Sequence, residues 1–216
     1  MSFLNPIKNF FLKLQSKKDL VLDKQSAQAL LEKNFSDRKI TEVDILEHLE
    51  TLRAYASKSD HITELGVRKI VSTWAFMMGH PKRLVSVDIV SPTYYLRDHG
   101  RLLRITENIC KELNIDFTFV LGDTLKIDIE DTDLLFIDTL HTYSQLIQEL
   151  NRHGNKSRKW IILHDTESCK DYFTNSIGVV EGGLKDAVDE FLQNNPHWFT
   201  KEVFTNNNGL TVLERK

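Results

Sequence analysis

From His61 onward the chain alternates between short apolar runs and longer amphipathic ones. The apolar runs stand at His61–Gly66, Leu84–Ile89, Phe117–Leu121, Leu134–Asp138 and Trp160–His164. Each is near-continuous rather than alternating, which marks strands buried on both faces, as in a parallel sheet covered by helices. Helical stretches are expected between them, near Val71–Met78, Tyr95–Leu113 and Tyr143–Arg152. A last helix, Leu184–Gln193, begins after Gly182-Gly183 and ends before Pro196. Phe199–Phe204 and Leu210–Leu213 then flank Thr205-Asn206-Asn207-Asn208-Gly209, and Asn-Gly between two strand-like runs signals a hairpin. Parallel strands finishing in an antiparallel hairpin make one α/β domain, placed at residues 58–216.

The preceding residues, 1–57, read as a helical extension. Thr41 is expected to cap a helix, with Asp44 three residues on. Ile45, Leu46, Leu49 and Leu52 would line its buried face. Lys8, Lys13, Lys17 and Lys18 stand against Asp19, a basic face that suits either an anionic surface or, more plainly, solvent. These helices are also candidates for holding a homo-oligomer together.

Composition narrows the classes. With 216 residues, 41% of them hydrophobic, the chain can bury a core without disulfide or metal staples. A net charge of -3 gives no basic footprint for nucleic acid. No run approaches the roughly 18 apolar residues of a membrane span, and the N-terminus lacks the apolar region of a secretory signal. Cys110 and Cys169 match no zinc or redox spacing. The expectation is a reduced, cytoplasmic protein.

In open α/β sheets, ligands bind beyond the carboxyl ends of the strands. Those ends are unusually polar here: Glu64 and Gly66, Asp88, Gly122-Asp123, Asp138, and His164-Asp165. Gly66, before a helix carrying Ser72 and Thr73, suits either close backbone approach to a ligand or a plain turn. Asp88 suits a ribose diol or a helix cap. If their strands are neighbours, Asp138 and Asp165 lie about 5 Å apart. Two such carboxylates share a proton, bind a cation such as Mg²⁺, or cap local backbone. Strand alternation sends His164 to the face opposite Asp165, so packing is the expected role for His164. His141, three residues past Asp138, is the candidate general base, although a lone loop histidine is usually just solvated.

These residues resemble the class I S-adenosylmethionine-dependent methyltransferases. The cofactor side is carried by Glu64-Leu65-Gly66 with Ser72-Thr73, Asp88, and Leu121-Gly122-Asp123-Thr124. The acceptor side is carried by Leu134-Leu135-Phe136-Ile137-Asp138-Thr139-Leu140-His141-Thr142-Tyr143 and Ile161-Ile162-Leu163-His164-Asp165-Thr166. The latter are similar to the catechol O-methyltransferase-like and cephalosporin-hydroxylase-like branch. The resemblance implies a Rossmann-like three-layer sandwich on a mostly parallel seven-stranded sheet, order 3-2-1-4-5-7-6. It implies that Glu64, Gly66 and Ser72 hold the methionine end of S-adenosylmethionine, that Asp88 takes the ribose, and that Gly122, Asp123 and Thr124 flank the adenine. Asp138 and Asp165 fall on the metal-ligand positions, Thr166 stands where relatives often carry Asn, and His141 falls on the base position. The implied activity is O-methylation of a small hydroxylated acceptor, such as a sugar or glycan component, assisted by Mg²⁺ or another divalent cation.

One departure bears on all of this. The second glycine of the family's cofactor loop is replaced by Ile70, a β-branched residue unsuited to positive φ. It keeps open a catalytically silent binding or scaffolding protein on the same fold. Nicotinamide-dependent oxidoreduction is disfavoured by the single glycine and the terminal hairpin. Glu167–Gly183, without clear periodicity, reads as a lid or binding loop containing Asp171, Tyr172, Phe173 and Asn175, with Gly178, Gly182 and Gly183 as hinges. Acceptor specificity is expected there and in Pro92–Arg97.

Overall fold

The computed structural model describes residues 22–41, 44–174 and 180–216. The basic stretch Lys8–Lys18, the Glu42-Val43 part of the expected capped helix, and lid residues Asn175 and Gly178 lie outside them. Two helices, α1 (Lys24–Thr41) and α2 (Leu49–Ala56), precede the alternating part. It runs β1 (His61–Leu65), α3 (Val71–Met78), β2 (Arg83–Asp88), α4 (Pro92–Leu96), α5 (Arg101–Glu112), β3 (Asp116–Leu121), β4 (Thr132–Ile137), α6 (Tyr143–His153) and β5 (Ser157–His164). A short hairpin, β6 (Tyr172–Thr174) and β7 (Val180–Gly182), leads to α7 (Leu184–Asn194), β8 (Trp198–Phe204) and β9 (Leu210–Arg215).

Seven strands form one sheet in the order β3-β2-β1-β4-β5-β9-β8. Counted without the small hairpin, this is the expected 3-2-1-4-5-7-6. β1 to β5 are mutually parallel, and β9 runs antiparallel to both β5 and β8. Side chains alternate across the sheet. Ile62, Leu84, Leu134, Phe136, Ile162 and Val212 pack with α1, α2, α3 and α5, whereas Leu65, Val87, Leu135, Ile137, Ile161 and Leu163 pack with α6 and α7. Strand order reverses between β1 and β4, which opens the crevice where such sheets bind ligands. Among the described residues no helix is long and apolar enough to cross a membrane.

Three local expectations are corrected. Thr41 caps no following helix: it is the last residue of α1, and its hydroxyl donates to the Asp37 carbonyl at 2.9 Å. The helix expected over Tyr95–Leu113 is broken after Leu96, where Arg97, His99 and Gly100 all take positive φ. Asp98 drives the restart, its two carboxylate oxygens accepting from the Gly100 and Leu102 amides. The stretch Glu167–Gly183 is not irregular throughout, since β6 and β7 pair within it.

Candidate active site at the strand tips

Hydrogen bonding continues one step past the strands and brings their ends together. The Gly66 amide donates to Val87 O, the Asp138 amide to Leu65 O, and the Gly122 amide to Asp88 O, all at 2.8–2.9 Å. At Gly66, φ +89°, a Cβ would stand 1.8 Å from the Asp138 carbonyl oxygen. Glycine is therefore required where the β1 loop crosses the end of β4.

The cofactor-side residues separate into two groups. Glu64 is wholly buried, accepting from Ser72 Oγ at 2.5 Å, Thr73 Oγ1 at 2.8 Å and Ser86 Oγ at 2.5 Å. Burial pushes its pKa up to about 7 although all three hydroxyls pull it down. Glu64 and Ser72 thus meet each other beneath the loop rather than facing the crevice. Asp88 is largely buried at the end of β2, and its Oδ2 accepts from the Val67 and Arg68 amides at 2.8 and 2.9 Å. Its Oδ1 accepts from Val90 N at 2.8 Å. A carboxylate oxygen has two acceptor sites, so Oδ1 retains one for a ligand hydroxyl. Ile70 keeps the left-handed turn of a glycine, with φ 63° and ψ 33°, while its side chain is buried.

On the adenine side, Asp123 caps the turn after β3 by accepting from the Leu125 amide at 3.0 Å, and it pairs with Lys126 at 2.9 Å. Thr124 is buried and donates to Glu149 Oε1 at 2.5 Å. Glu149 also accepts from Thr139, beside Asp138, so one buried carboxylate ties together the loops after β3 and β4. Glu149 was not singled out in the sequence. Its signal is a carboxylate on the buried face of the amphipathic Tyr143–His153 helix. Leu121, which opens the Leu121–Thr124 run, and Ile89, to which the sequence gives no role beyond the end of a strand, are 64% and 68% exposed at the ends of the paired strands β3 and β2.

The densest chemistry stands at the ends of β4 and β5. His141 Nε2 lies 2.9 Å from Asp165 Oδ2 and 3.3 Å from Asp138 Oδ1. One donor atom from each of these three residues falls within 4.8 Å of the others. His164 approaches from below, its Nδ1 3.2 Å from Asp165 Oδ2 and 3.5 Å from Asp138 Oδ2. The expectation that His164 and Asp165 point to opposite faces is corrected. Asp165 has φ 58°, so the strand geometry on which alternation depends has ended there. Burial works against charge on both imidazoles, but hydrogen bonds to the two carboxylates and their negative charge outweigh it and raise each pKa to about 10. The same contacts hold both carboxyls below the usual range against their own burial. Thr166 turns away, accepting from Thr211 Oγ1 at 2.9 Å.

The Asn-rich turn between β8 and β9 buttresses this corner. Asn208 O accepts from the Glu167 and Ser168 amides, fixing the loop after Asp165. The Asn206 and Asn207 carbonyls lie 3.0 and 3.2 Å from His48 Nε2, and the His48 ring meets His164 edge-on at 5.8 Å. Asp44 pairs with Arg68 at 2.9 Å and accepts from Asn208 Nδ2 at 2.7 Å, linking the β1 loop to the hairpin turn.

The strand order, the terminal antiparallel hairpin and the crevice between β1 and β4 define the class I methyltransferase fold. An O-methyltransferase from Bacillus cereus in complex with S-adenosylhomocysteine superposes with a TM-score of 0.56 at 13% identity, over 98% of this chain and 97% of that one. A candidate caffeoyl-CoA O-methyltransferase from Staphylococcus aureus gives 0.53 at 16% identity, over 98% and 100%. An S-adenosylhomocysteine-bound methyltransferase from Podospora anserina gives 0.50 at 14% identity, over 100% and 99%. No protein-family model matches the chain, and no curated protein matches it in sequence.

Proposed function

We propose that the protein is an S-adenosylmethionine-dependent O-methyltransferase acting on a small hydroxylated acceptor with the help of a divalent cation. The observation that carries this reading is the joining of Asp138, His141 and Asp165 at the crevice of a methyltransferase fold, beside Gly66 and near the Asp88 end of β2. The cofactor would supply an electrophilic methyl group on a sulfonium. Asp88 fits its ribose through the free acceptor site on Oδ1, a grip on one hydroxyl rather than on both. Ile89 and Leu121 offer apolar surface for the adenine, with Gly122, Asp123 and Thr124 forming the turn beside it. Glu64 and Ser72 hold the loop from beneath, and Gly66 sets its closest approach.

Asp138 and Asp165 fit a divalent cation, which when bound would orient two acceptor oxygens and lower the pKa of the attacking hydroxyl. His141 completes the group. To act as a base it needs a free Nε2 lone pair, and that atom faces the two carboxylates. A cation that takes two oxygens would suit a small acceptor with neighbouring hydroxyls, and a sugar component is the acceptor that the resemblance implies. A second reading, a silent protein on the same fold, is favoured by the occupation of three of the four Asp88 acceptor sites by backbone amides.

Calorimetric titration with S-adenosylhomocysteine, with and without a divalent cation, separates the two. Micromolar binding that Asp88→Ala weakens by about tenfold, the value of one charge-assisted hydrogen bond, supports the methyltransferase. No binding under either condition overturns it.

A further inference from the structure

The resemblance that brings Asp138 and Asp165 to a cation also expects a third oxygen ligand from the residue after Asp165. That residue is Thr166, whose hydroxyl oxygen accepts a hydrogen bond from Thr211 Oγ1. An imidazole nitrogen stands with the carboxylates instead. Two donors bound about 2.1 Å from a common ion, at angles between 90° and the tetrahedral value, lie about 3.0–3.4 Å apart. His141 Nε2 is 2.9 Å from Asp165 Oδ2 and 3.3 Å from Asp138 Oδ1, so both separations match donors converging on one centre. The helix α6 is capped by Thr142 Oγ1, which accepts from the Gln145 amide, and this fixes the backbone directly after His141.

A second observation points the same way. His164 has a side chain with no exposed surface, and its Nδ1 pairs with Oδ2 of both carboxylates, at 3.2 Å from Asp165 and 3.5 Å from Asp138. A buried group that holds both carboxylates in place is what carboxylates converging on an ion need behind them. The cluster is the polar centre within its reach.

We propose that Asp138, His141 and Asp165 form a mixed nitrogen–oxygen site for a first-row transition dication such as Mn²⁺, Co²⁺ or Zn²⁺, closed from the buried side by His164. His141 is then a metal ligand and not the general base. This rests on the reading of Asp138 and Asp165 as cation ligands. Mg²⁺ is hard and takes oxygen donors, whereas imidazole strengthens binding along the first-row series. A site with a nitrogen among three protein donors therefore selects against Mg²⁺.

The test uses the full-length protein, freed of metal by a chelator and without cofactor. Co²⁺ and Mg²⁺ are titrated separately by calorimetry, and the Mn²⁺ form is examined by electron spin-echo spectroscopy for directly bound nitrogen. The expected result is Co²⁺ binding about 100-fold tighter than Mg²⁺, with a nitrogen signal in the Mn²⁺ form. His141→Ala and His141→Gln should each weaken Co²⁺ at least about tenfold, leave Mg²⁺ within about threefold, and diminish the nitrogen signal. Circular dichroism verifies that both variants are folded, as befits a half-buried loop position. Equal affinities for the two ions, absence of a nitrogen signal, or unchanged Co²⁺ affinity in both variants overturns the proposal. S-adenosylhomocysteine binding by the same metal-free protein is read independently. If it persists while Co²⁺ selectivity fails, only the metal assignment falls; if it is absent while the Co²⁺ site stands, only methyl transfer falls.

Discussion

Glu64 shows how a residue at a functional strand end can serve the scaffold first. Its carboxyl is enclosed by two hydroxyls from the first turn of α3 and one from the directly paired position on β2. Burial raises its pKa from 4.5 to about 7, and the negative charge of Asp138 adds to the effect. A carboxyl whose folded pKa is raised binds its proton more tightly in the folded chain than in the unfolded one. The resulting stabilisation is complete below pH 4.5 and is lost as pH rises through about 7. It amounts to about 3 kcal/mol over that window. Glu64→Gln removes the titration while preserving the shape and an acceptor. Urea denaturation of both proteins between pH 4.5 and 8 should show wild type losing about 3 kcal/mol relative to the variant as pH rises. A difference that stays flat across this range contradicts the assignment. Ser86 was legible only as a small polar residue inside the apolar run Leu84–Ile89, and its partner could not be read until β1 and β2 were paired in register.

The loop between β1 and α3 sets two effects against each other at Ile70. Left-handed backbone in a β-branched residue costs about 1–2 kcal/mol. Full burial of its side chain contributes about 1.5–3 kcal/mol, and the cavity left on truncation adds to the loss. Ile70→Gly relieves the first and forfeits the second, so the expected net change is a destabilisation of about 1–2 kcal/mol, read from the denaturation midpoint. A more stable variant would show that the backbone strain dominates. The sequence predicts the loop's difficulty correctly, because a β-branched residue stands at a glycine position. It does not reveal that the chain accepts the positive φ and covers it with core packing. Elements defined by hydrophobic period were legible in the same way: β1 to β5, α3, α6 and α7 lie within a few residues of expectation. Elements defined by local backbone geometry were not. The break between α4 and α5 needs positive φ at Arg97 and His99, and three-residue strands such as β6 and β7 are too short to show a period. His164 was misplaced for a related reason, since no pattern in the sequence says that the strand ends at Asp165.

At the scale of the whole molecule, the sheet needs cover on both faces, and the two covers come from different parts of the chain. α6 and α7 cover one face. On the other, Leu31 and Phe35 of α1, Ile45, and Leu49, Leu52 and Tyr55 of α2 share a continuous core with Trp74, Phe76, Met77, Phe136 and Ile162. The sequence divides readily at residue 57, where strand–helix alternation begins, but period and spacing do not tell whether the preceding helices lie on the sheet or apart from it. Burying each of these six side chains is worth about 2 kcal/mol, or about 12 kcal/mol together, which equals the whole net stability of an ordinary domain. Removal also uncovers the apolar surface of α3. We therefore expect residues 58–216, produced alone, to be aggregated or to melt without a cooperative transition, and to bind hydrophobic dyes strongly. The same loss frees the β1 loop and the hairpin turn from Asp44, and takes His48 from the ring of His164. Calorimetric melting of the full chain beside the 58–216 fragment decides the matter. A fragment that melts cooperatively within a few degrees of the full chain would make residues 1–57 a dispensable extension, and the site at the strand tips a property of the α/β part alone.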